Sequence, residues 1–445
     1  MIITDLHIHS QYSRAVSPQM EPPIMAQWAG RKGINLLGSG DFTHPLWLRG
    51  LESQLREVNE GIYQLKTVEQ IAGGHFAPVN FLITGEISCI YSQGGKIRKI
   101  HLVVLIPSFK VAYKINQELE DHGFNLVSDG RPILGFSARD LVELLKGVDK
   151  RIAVIPAHIW TPWFGLYGSR SGFDSLAECF GDMGQYIHAI ETGLSSDPAM
   201  NWQIRELDSR QIVSFSDAHS PQKLGREMTV LKRKDNGDKS FSFADVAEAL
   251  EDKSGSQWKI AYTVEFYPQE GKYHYSGHRR CGVCQSPEET QKLGTTCPVC
   301  GKPLTLGVMH QVQLTVKSPK LKVIEEIDGD GVRWIKSSLA KNRPPYVTLV
   351  PLLEVLSESL NCGVSSQKVV NEYNNLTVNL GSELEILLRR KGKEIEKMAG
   401  WRVSEAIAKM RGGDINIEPG FDGQFGRVQI FGRQEKQERK QMGLF

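Results

Sequence analysis

The chain has 445 residues, with 53 Lys and Arg against 51 Asp and Glu and a formal net charge of +2. So even a balance excludes a histone-like or tail-driven nucleic-acid binder, while leaving room for a local basic groove. A hydrophobic fraction of 40% and a charged fraction of 23% exclude an intrinsically disordered chain. The length calls for two or three domains. The opening MIITDLHIHS lacks a basic, then apolar, leader pattern, and no run of about 18 apolar residues follows it. The expectation is a cytoplasmic protein with no membrane partner.

Up to about residue 232, short apolar runs alternate with amphipathic stretches. The runs are 2–8, 34–38, 81–84, 100–106, 152–155, 187–190 and 212–215, rich in Ile, Val, Leu and Phe, as strands buried on both faces are. Helical spacing falls at 24–32 and 137–148, the latter started by Ser137 and Asp140. Seven such strands separated by helices predict a parallel βα architecture, either open or closed into a barrel. Residues 243–251 read as a helix and 259–266 as a strand. Residues 311–316 (QVQLTV) read as a strand, and 384–398 has helical spacing. The expected divisions are a βα domain at 1–268, a zinc ribbon-like domain at 269–310 around the four Cys of 281–300, and a mostly helical region at 311–445 whose basic patches at 317–322, 333–343 and 389–393 suit DNA binding.

Ligand-type side chains recur along the predicted strands: His7 and His9, Asp41 with His44, Glu86, His101, His158, Glu191, and Asp217 with His219. His7 and His9 are two apart and share one face of a strand. In a βα barrel the strand ends converge on one face. Imidazoles and carboxylates gathered there suit Zn, Mn or Fe, and a shared carboxylate such as Glu86 suits bridging of two ions. Clustered divalent ions lower the pKa of bound water and stabilise phosphoryl transfer, so phosphate-ester hydrolysis is the expected chemistry.

In this order, DLHIHS, GSGDF, TGEIS, IHLVVL, PAHIW, ETG and FSDAHS resemble the PHP (polymerase and histidinol phosphatase) superfamily. The resemblance implies a distorted (βα)7 barrel with two or three divalent ions, Zn, Mn or Mg. It implies that His7, His9, Glu86 and Asp217 hold the first ion and carry the catalysis. Glu86, His101 and His158 would hold the second, and Asp41 and His219 the third, with Glu191 nearby. The superfamily usually carries a TDH-type triplet at the second strand end. Here GDF stands in its place with His44 three residues on, so either Asp41 or His44 could be the ligand.

Cys281-x2-Cys284-x12-Cys297-x2-Cys300 has the spacing of a structural zinc site. Before it, residues 271–280 mix aromatic, basic and His side chains, among them Tyr273, His274, His278 and Arg279. The loop after His158 adds Trp160, Trp163, Phe164 and Tyr167. Both segments suit base stacking and phosphate contact, and packing would explain them equally. With WTPWFG and TVEFYPQEGKYHYSGHRRC, the ribbon resembles the endonuclease Q family, DNA-repair members of the same superfamily. That resemblance implies incision 5′ of deaminated bases (uracil, hypoxanthine, xanthine) or abasic sites, with the lesion nucleotide flipped out, in a nucleoid-associated protein. The last residues, Gln441, Met442, Gly443, Leu444 and Phe445, resemble the Q-L-x-L-F peptide that docks bacterial proteins on the sliding clamp. Two other readings compete: a phosphoesterase for a small phosphomonoester, and a non-catalytic DNA-binding, clamp-associated module. No GxxxxGK[ST] phosphate loop occurs, which argues against ATP-driven unwinding.

Overall fold

The computed structural model describes residues 1–67, 77–235, 240–252, 255–316, 322–338 and 343–432. The seven apolar runs form seven strands: β1 (Ile2–Asp5), β2 (Leu36–Gly38), β3 (Asn80–Gln93), β4 (Lys96–Ile106), β5 (Ala153–Pro156), β6 (Ala189–Glu191) and β7 (Gln211–Val213). β1, β2 and β3 pair in parallel, as do β6 and β7. Two contacts beyond the strand ends close the ring. Ile159 N donates to Glu191 O at 3.2 Å, and His9 N donates to Ala218 O at 3.1 Å beside an Ile8–Ala218 bridge. One core cluster draws a residue from each strand or its extension: Leu6, Leu36, Leu82, Val103, Ile155, Ala189 and Val213. A cluster fed by all seven strands is the interior of a closed, distorted barrel. Phe243, Val246 and Leu250 of the helix Phe243–Glu251 join it and close one end.

The strand directions depart from the all-parallel expectation. β4 runs antiparallel to both β3 and β5. The cause is local: Gln93 pairs with Lys96 across Gly94 and Gly95, which have φ of 60° and 71°. A two-residue turn with both φ positive makes a tight hairpin, and glycine adopts it without a Cβ clash.

The sheet continues past the barrel. β8 (Met228–Arg233) pairs antiparallel with β1 on one side and with β9 (Trp258–Glu265) on the other. After a long excursion the chain returns as β12 (Val323–Ile327), β13 (Arg333–Ser337) and β14 (Tyr346–Thr348). β14 adds to the free edge of β9 in parallel, Thr263 opposite Tyr346. Within the excursion, β10 (Ser276–His278) and β11 (Val283–Gln285) form a hairpin before the helix Pro287–Leu293.

Two other elements differ from expectation. Residues 311–316 are not a strand but the end of a helix, Val308–Thr315. Gln311 N donates to Gly307 O and Val316 N to Val312 O, both at 3.0 Å, the four-residue bonding of a helix and not the ladder of a strand. The helical stretch at 384–398 is two helices, Glu383–Leu388 and Gly392–Ala399. The Arg411 guanidinium donates to the carbonyls of Ile386, Leu387 and Arg390 at 2.7–2.8 Å and terminates the first of them. With Leu352–Leu360, Gln367–Leu380 and Trp401–Gly412 these helices form the C-terminal bundle. A buried ion pair ties it to the barrel: Lys32 Nζ lies 2.8 Å from Glu383 Oε2, at an angle outside hydrogen-bond geometry. Among the described residues no helix is long and apolar enough to cross a membrane.

Candidate active site

The ligand-type residues of seven strands meet at one mouth of the barrel. Two groups have donor atoms within 4.8 Å of one another: His7, His9 and Asp217, and Glu86, His101 and His158. Glu86 joins them. Its Oε1 lies 2.6 Å from His101 Nδ1, 3.1 Å from His158 Nε2 and 3.6 Å from His7 Nε2, and its Oε2 lies 3.4 Å from His9 Nε2. His101 sits within a strand, not at its end. It reaches the mouth because β4 is reversed and Ser88 pairs with it across the hairpin.

Asp41 and Glu191, expected as ligands, stand one layer behind. Glu191 accepts from His7 Nδ1 at 2.9 Å and from the His158 backbone N–H at 2.8 Å. Asp41 Oδ1 faces His9 Nδ1 at 3.2 Å, and its Oδ2 accepts from Ser10 N, Ser10 Oγ and Ser13 Oγ at 2.6–2.8 Å. Each carboxylate therefore fixes an imidazole so that its Nε2 points into the centre, the arrangement of carboxylate–histidine–metal sites. Thr161 Oγ1 does the same for His158 Nδ1 at 2.9 Å. His44 is turned elsewhere. Its Nδ1 caps the helix Pro45–Gln54 and its ring stacks on Tyr12 at 4.3 Å. Between the two alternatives, Asp41 is the one that faces the site. His219 lies at the rim, its ring 4.6 Å from His9 and its Nδ1 on Asp217 O.

The backbone is strained at three residues of the site. Asp41, His158 and Asp217 have φ of 48°, 30° and 46°, in the left-handed region that side chains other than glycine avoid. Arg226 holds Asp217 there by donating to the carbonyls of Ser216 at 2.8 Å and Asp217 at 3.3 Å.

The electrostatics fit a cation. Burial opposes the charged form of His7 and His9, yet the surrounding carboxylates outweigh it and hold both pKa values above the usual range. Burial opposes ionisation of Glu86 and Asp217 as well, and the imidazoles outweigh it and hold both low. His101 is pushed down to about 4 by burial. His7 Nε2 is buried and has no hydrogen-bond partner. An orphaned buried nitrogen among three other imidazoles and two carboxylates is a donor set made for divalent metal.

The second predicted metal site is present with one change. His278, Cys281, Cys297 and Cys300 form the group, and Cys284 lies outside it. Cys284 pairs with Gly277 across the β10–β11 hairpin, while His278 pairs with Val283. Adjacent residues of a strand face opposite sides, so the pleat turns Cys284 away from His278. His278 Nδ1 lies 3.4 Å from Cys300 Sγ. Desolvation raises the Cys297 thiol, but the backbone N–H groups of Cys300 and Val299 bring it down to about 6, toward the thiolate that binds zinc.

The aromatic candidates divide. Trp160, Tyr167 and His274 are 1%, 1% and 3% exposed and present no face to a base. Trp160 Nε1 bonds Asn201 Oδ1 and the Tyr167 hydroxyl bonds Glu206, so these rings are the packing of the loop. Trp163, in contrast, is 39% exposed, stands edge-on to Tyr273 at 5.4 Å and lies under Arg170. Phe164 packs on His101 at 4.2 Å beside the site. Arg279 is exposed, and its N–H is pinned by Asp422. Of the C-terminal basic residues, Arg333, Lys336 and Arg343 pair with Glu325, Glu326 and Asp208. The clamp-like peptide 441–445 lies outside the described residues. Sequence reasoning missed Arg131, whose Nη1 donates to Glu86 Oε2 at 3.1 Å. It lies in a loop with no metal-ligand signal.

Residues 351–414 match the family model described as the MJ0043 C-terminal domain. The uncharacterized protein MJ0043 of Methanocaldococcus jannaschii is 31% identical over 271 residues. That match covers 60% of this chain but only 31% of the relative's length. The structure of the lesion-specific endonuclease PfuEndoQ of Pyrococcus furiosus is 29% identical with a TM-score of 0.78, covering 96% of this chain and 95% of that one. An endonuclease Q bound to a 27-mer duplex with an abasic lesion at its active site is 29% identical with a TM-score of 0.80. It covers 98% of this chain and 97% of its own. The chain resembles endonuclease Q over nearly its whole length, as its motifs implied. The fold class also holds: a mixed α/β barrel, a His/Cys group able to hold zinc, and a helical C-terminal region.

Proposed function

We propose that this chain is a metal-dependent DNA-repair endonuclease. It would hydrolyse a phosphodiester 5′ of a deaminated base (uracil, hypoxanthine or xanthine) or an abasic site. The observation that carries the reading is the likeness, over 98% of the chain, to an endonuclease Q held on an abasic duplex. The centre built around Glu86 supports it.

Divalent ions held at this centre would supply an activated water and would offset the charge that grows on phosphorus. His7, His9 and Asp217 would hold one ion, and Glu86, His101 and His158 another. Glu191, Asp41 and Thr161 hold the imidazoles in place, so little reorganisation is left for the moment of reaction. Trp163, Phe164, Tyr273 and Arg279 are the candidates for contact with the DNA, where stacking would be worth about 1–3 kcal/mol per base. A damaged base costs less to unstack than a paired one, which favours flipping at lesions. Residues 441–445 would dock on a bacterial sliding clamp, and His278, Cys281, Cys297 and Cys300 would hold one structural zinc.

The test is incubation with labelled duplexes carrying uracil, hypoxanthine or an abasic site, beside histidinol phosphate, with manganese, magnesium or zinc added. A single cut 5′ of the lesion, lost in a chelator, is expected. Phosphate release from histidinol phosphate with all duplexes intact would overturn the reading.

A further inference from the structure

Arg131 is a cation seated inside the acidic mouth on a rigid support. Its loop is pinned from three sides. Gly130 N donates to Tyr12 O at 3.0 Å, Thr43 Oγ1 donates to Gly130 O at 3.1 Å, and Ser88 N donates to Pro132 O at 3.0 Å. Asp129 Oδ1 accepts from the backbone N–H groups of Arg14 and Arg131. A Cβ on Gly130 would lie 2.3 Å from Asp41 Oδ2, so the loop packs directly on the carboxylate that orients His9. The next residues, Ile133–Leu134, pair in parallel with Ser88 and Cys89 of β3, the strand that carries Glu86. Position and direction of the side chain are thus set by the same elements that set the ligands.

The guanidinium itself is only partly enclosed. The side chain is 25% exposed, and among the described residues its side-chain hydrogen bond is the single one from Nη1 to Glu86 Oε2. Glu86 and Asp217 both raise its affinity for a proton, so it is a fixed positive charge. An arginine presents five donors in a planar fork that matches two oxygens of a phosphate. One edge of the fork is on Glu86 and the remaining donors are available to a group arriving from solvent. An ion pair with Glu86 alone would need neither the pinned loop nor the partial exposure.

We propose that Arg131 is a catalytic residue that binds a non-bridging oxygen of the phosphate being cut. This rests on the endonuclease reading. The side chain holds the phosphate against the metal-binding groups and offsets the charge that develops on that oxygen in the transition state.

The experiment compares wild type, Arg131→Ala and Arg131→Lys on an abasic duplex with manganese, in multiple- and single-turnover cleavage. Metal content of each protein is measured in parallel. Cleavage is repeated with each phosphorothioate diastereomer at the scissile position. Both variants should keep the wild-type metal content and KM and lose about 10–100-fold in rate, the worth of a charge-assisted hydrogen bond. The slowing caused by one diastereomer in the wild type should disappear in Arg131→Ala. Rates within about threefold of wild type would overturn the proposal, as would full rescue by more manganese, which would make Arg131 a mere counter-ion of Glu86. Wild type that cuts no lesion duplex would overturn the endonuclease reading itself.

Discussion

His7 shows how one residue decides what the site can be. Its Nδ1 is held by Glu191, and its Nε2 is buried with nothing to bond. His7→Ala should therefore abolish cleavage in the oligonucleotide assay while DNA affinity, measured by gel shift, stays largely intact. Glu191→Gln should leave the ligands in place but loosen the imidazole, weakening metal binding by about 10–100-fold, as read by metal titration. A third residue gives a pH prediction. Burial raises the Glu270 carboxyl to about 8, with Glu354 adding to it. Folded protein then keeps this proton over a range in which unfolded chain has lost it, so stability falls as pH rises from about 4.5 to about 8. Glu270→Gln should flatten that fall in thermal melts at pH 5 and pH 9. The spacing of ligand-type residues could be read from sequence. Which of them stand in front could not, because Asp41 and Glu191 differ from Asp217 only in what holds their oxygens. Arg131 had no motif to betray it.

At the scale of elements, strand existence was legible from apolar runs and strand direction was not. The Gly94–Gly95 turn was the signal that reverses β4, and it lies inside what read as one βα alternation. The reversal matters for the site, since it brings His101 to the mouth from within a strand. The ribbon illustrates the opposite error. The paired CxxC spacing pointed to four cysteines, but the pleat of the β10–β11 hairpin faces His278, not Cys284, toward Cys281, Cys297 and Cys300. Cys297→Ser should lower both bound zinc and melting temperature. Cys284→Ser should change neither, as checked by zinc content and calorimetry. Loss of zinc in both variants to the same extent would contradict the pleat argument.

For the whole molecule, the contact between barrel and helical bundle includes the buried pair of Lys32 and Glu383, with the Tyr373 hydroxyl and Leu352 N–H completing the carboxylate's partners. Removing one member leaves an uncompensated buried charge, so Lys32→Ala should cost about 3–5 kcal/mol in denaturant unfolding. Deleting 441–445 should remove sliding-clamp binding in a pull-down and leave cleavage of naked duplexes unchanged. The single sheet that runs from the barrel into β14 has a consequence for any attempt to divide the chain. Before residues 346–348 arrive, β9 is an edge with unpaired N–H and C=O groups along Thr263, Val264 and Glu265. A fragment ending at 268 keeps every ligand of the barrel yet offers that edge to its neighbours. A nascent chain is in the same position until the ribbon and the β12–β13 hairpin have been made. The protein is thus exposed to aggregation for as long as synthesis of that excursion takes, and the strand that ends the exposure is the one that ties the two halves together.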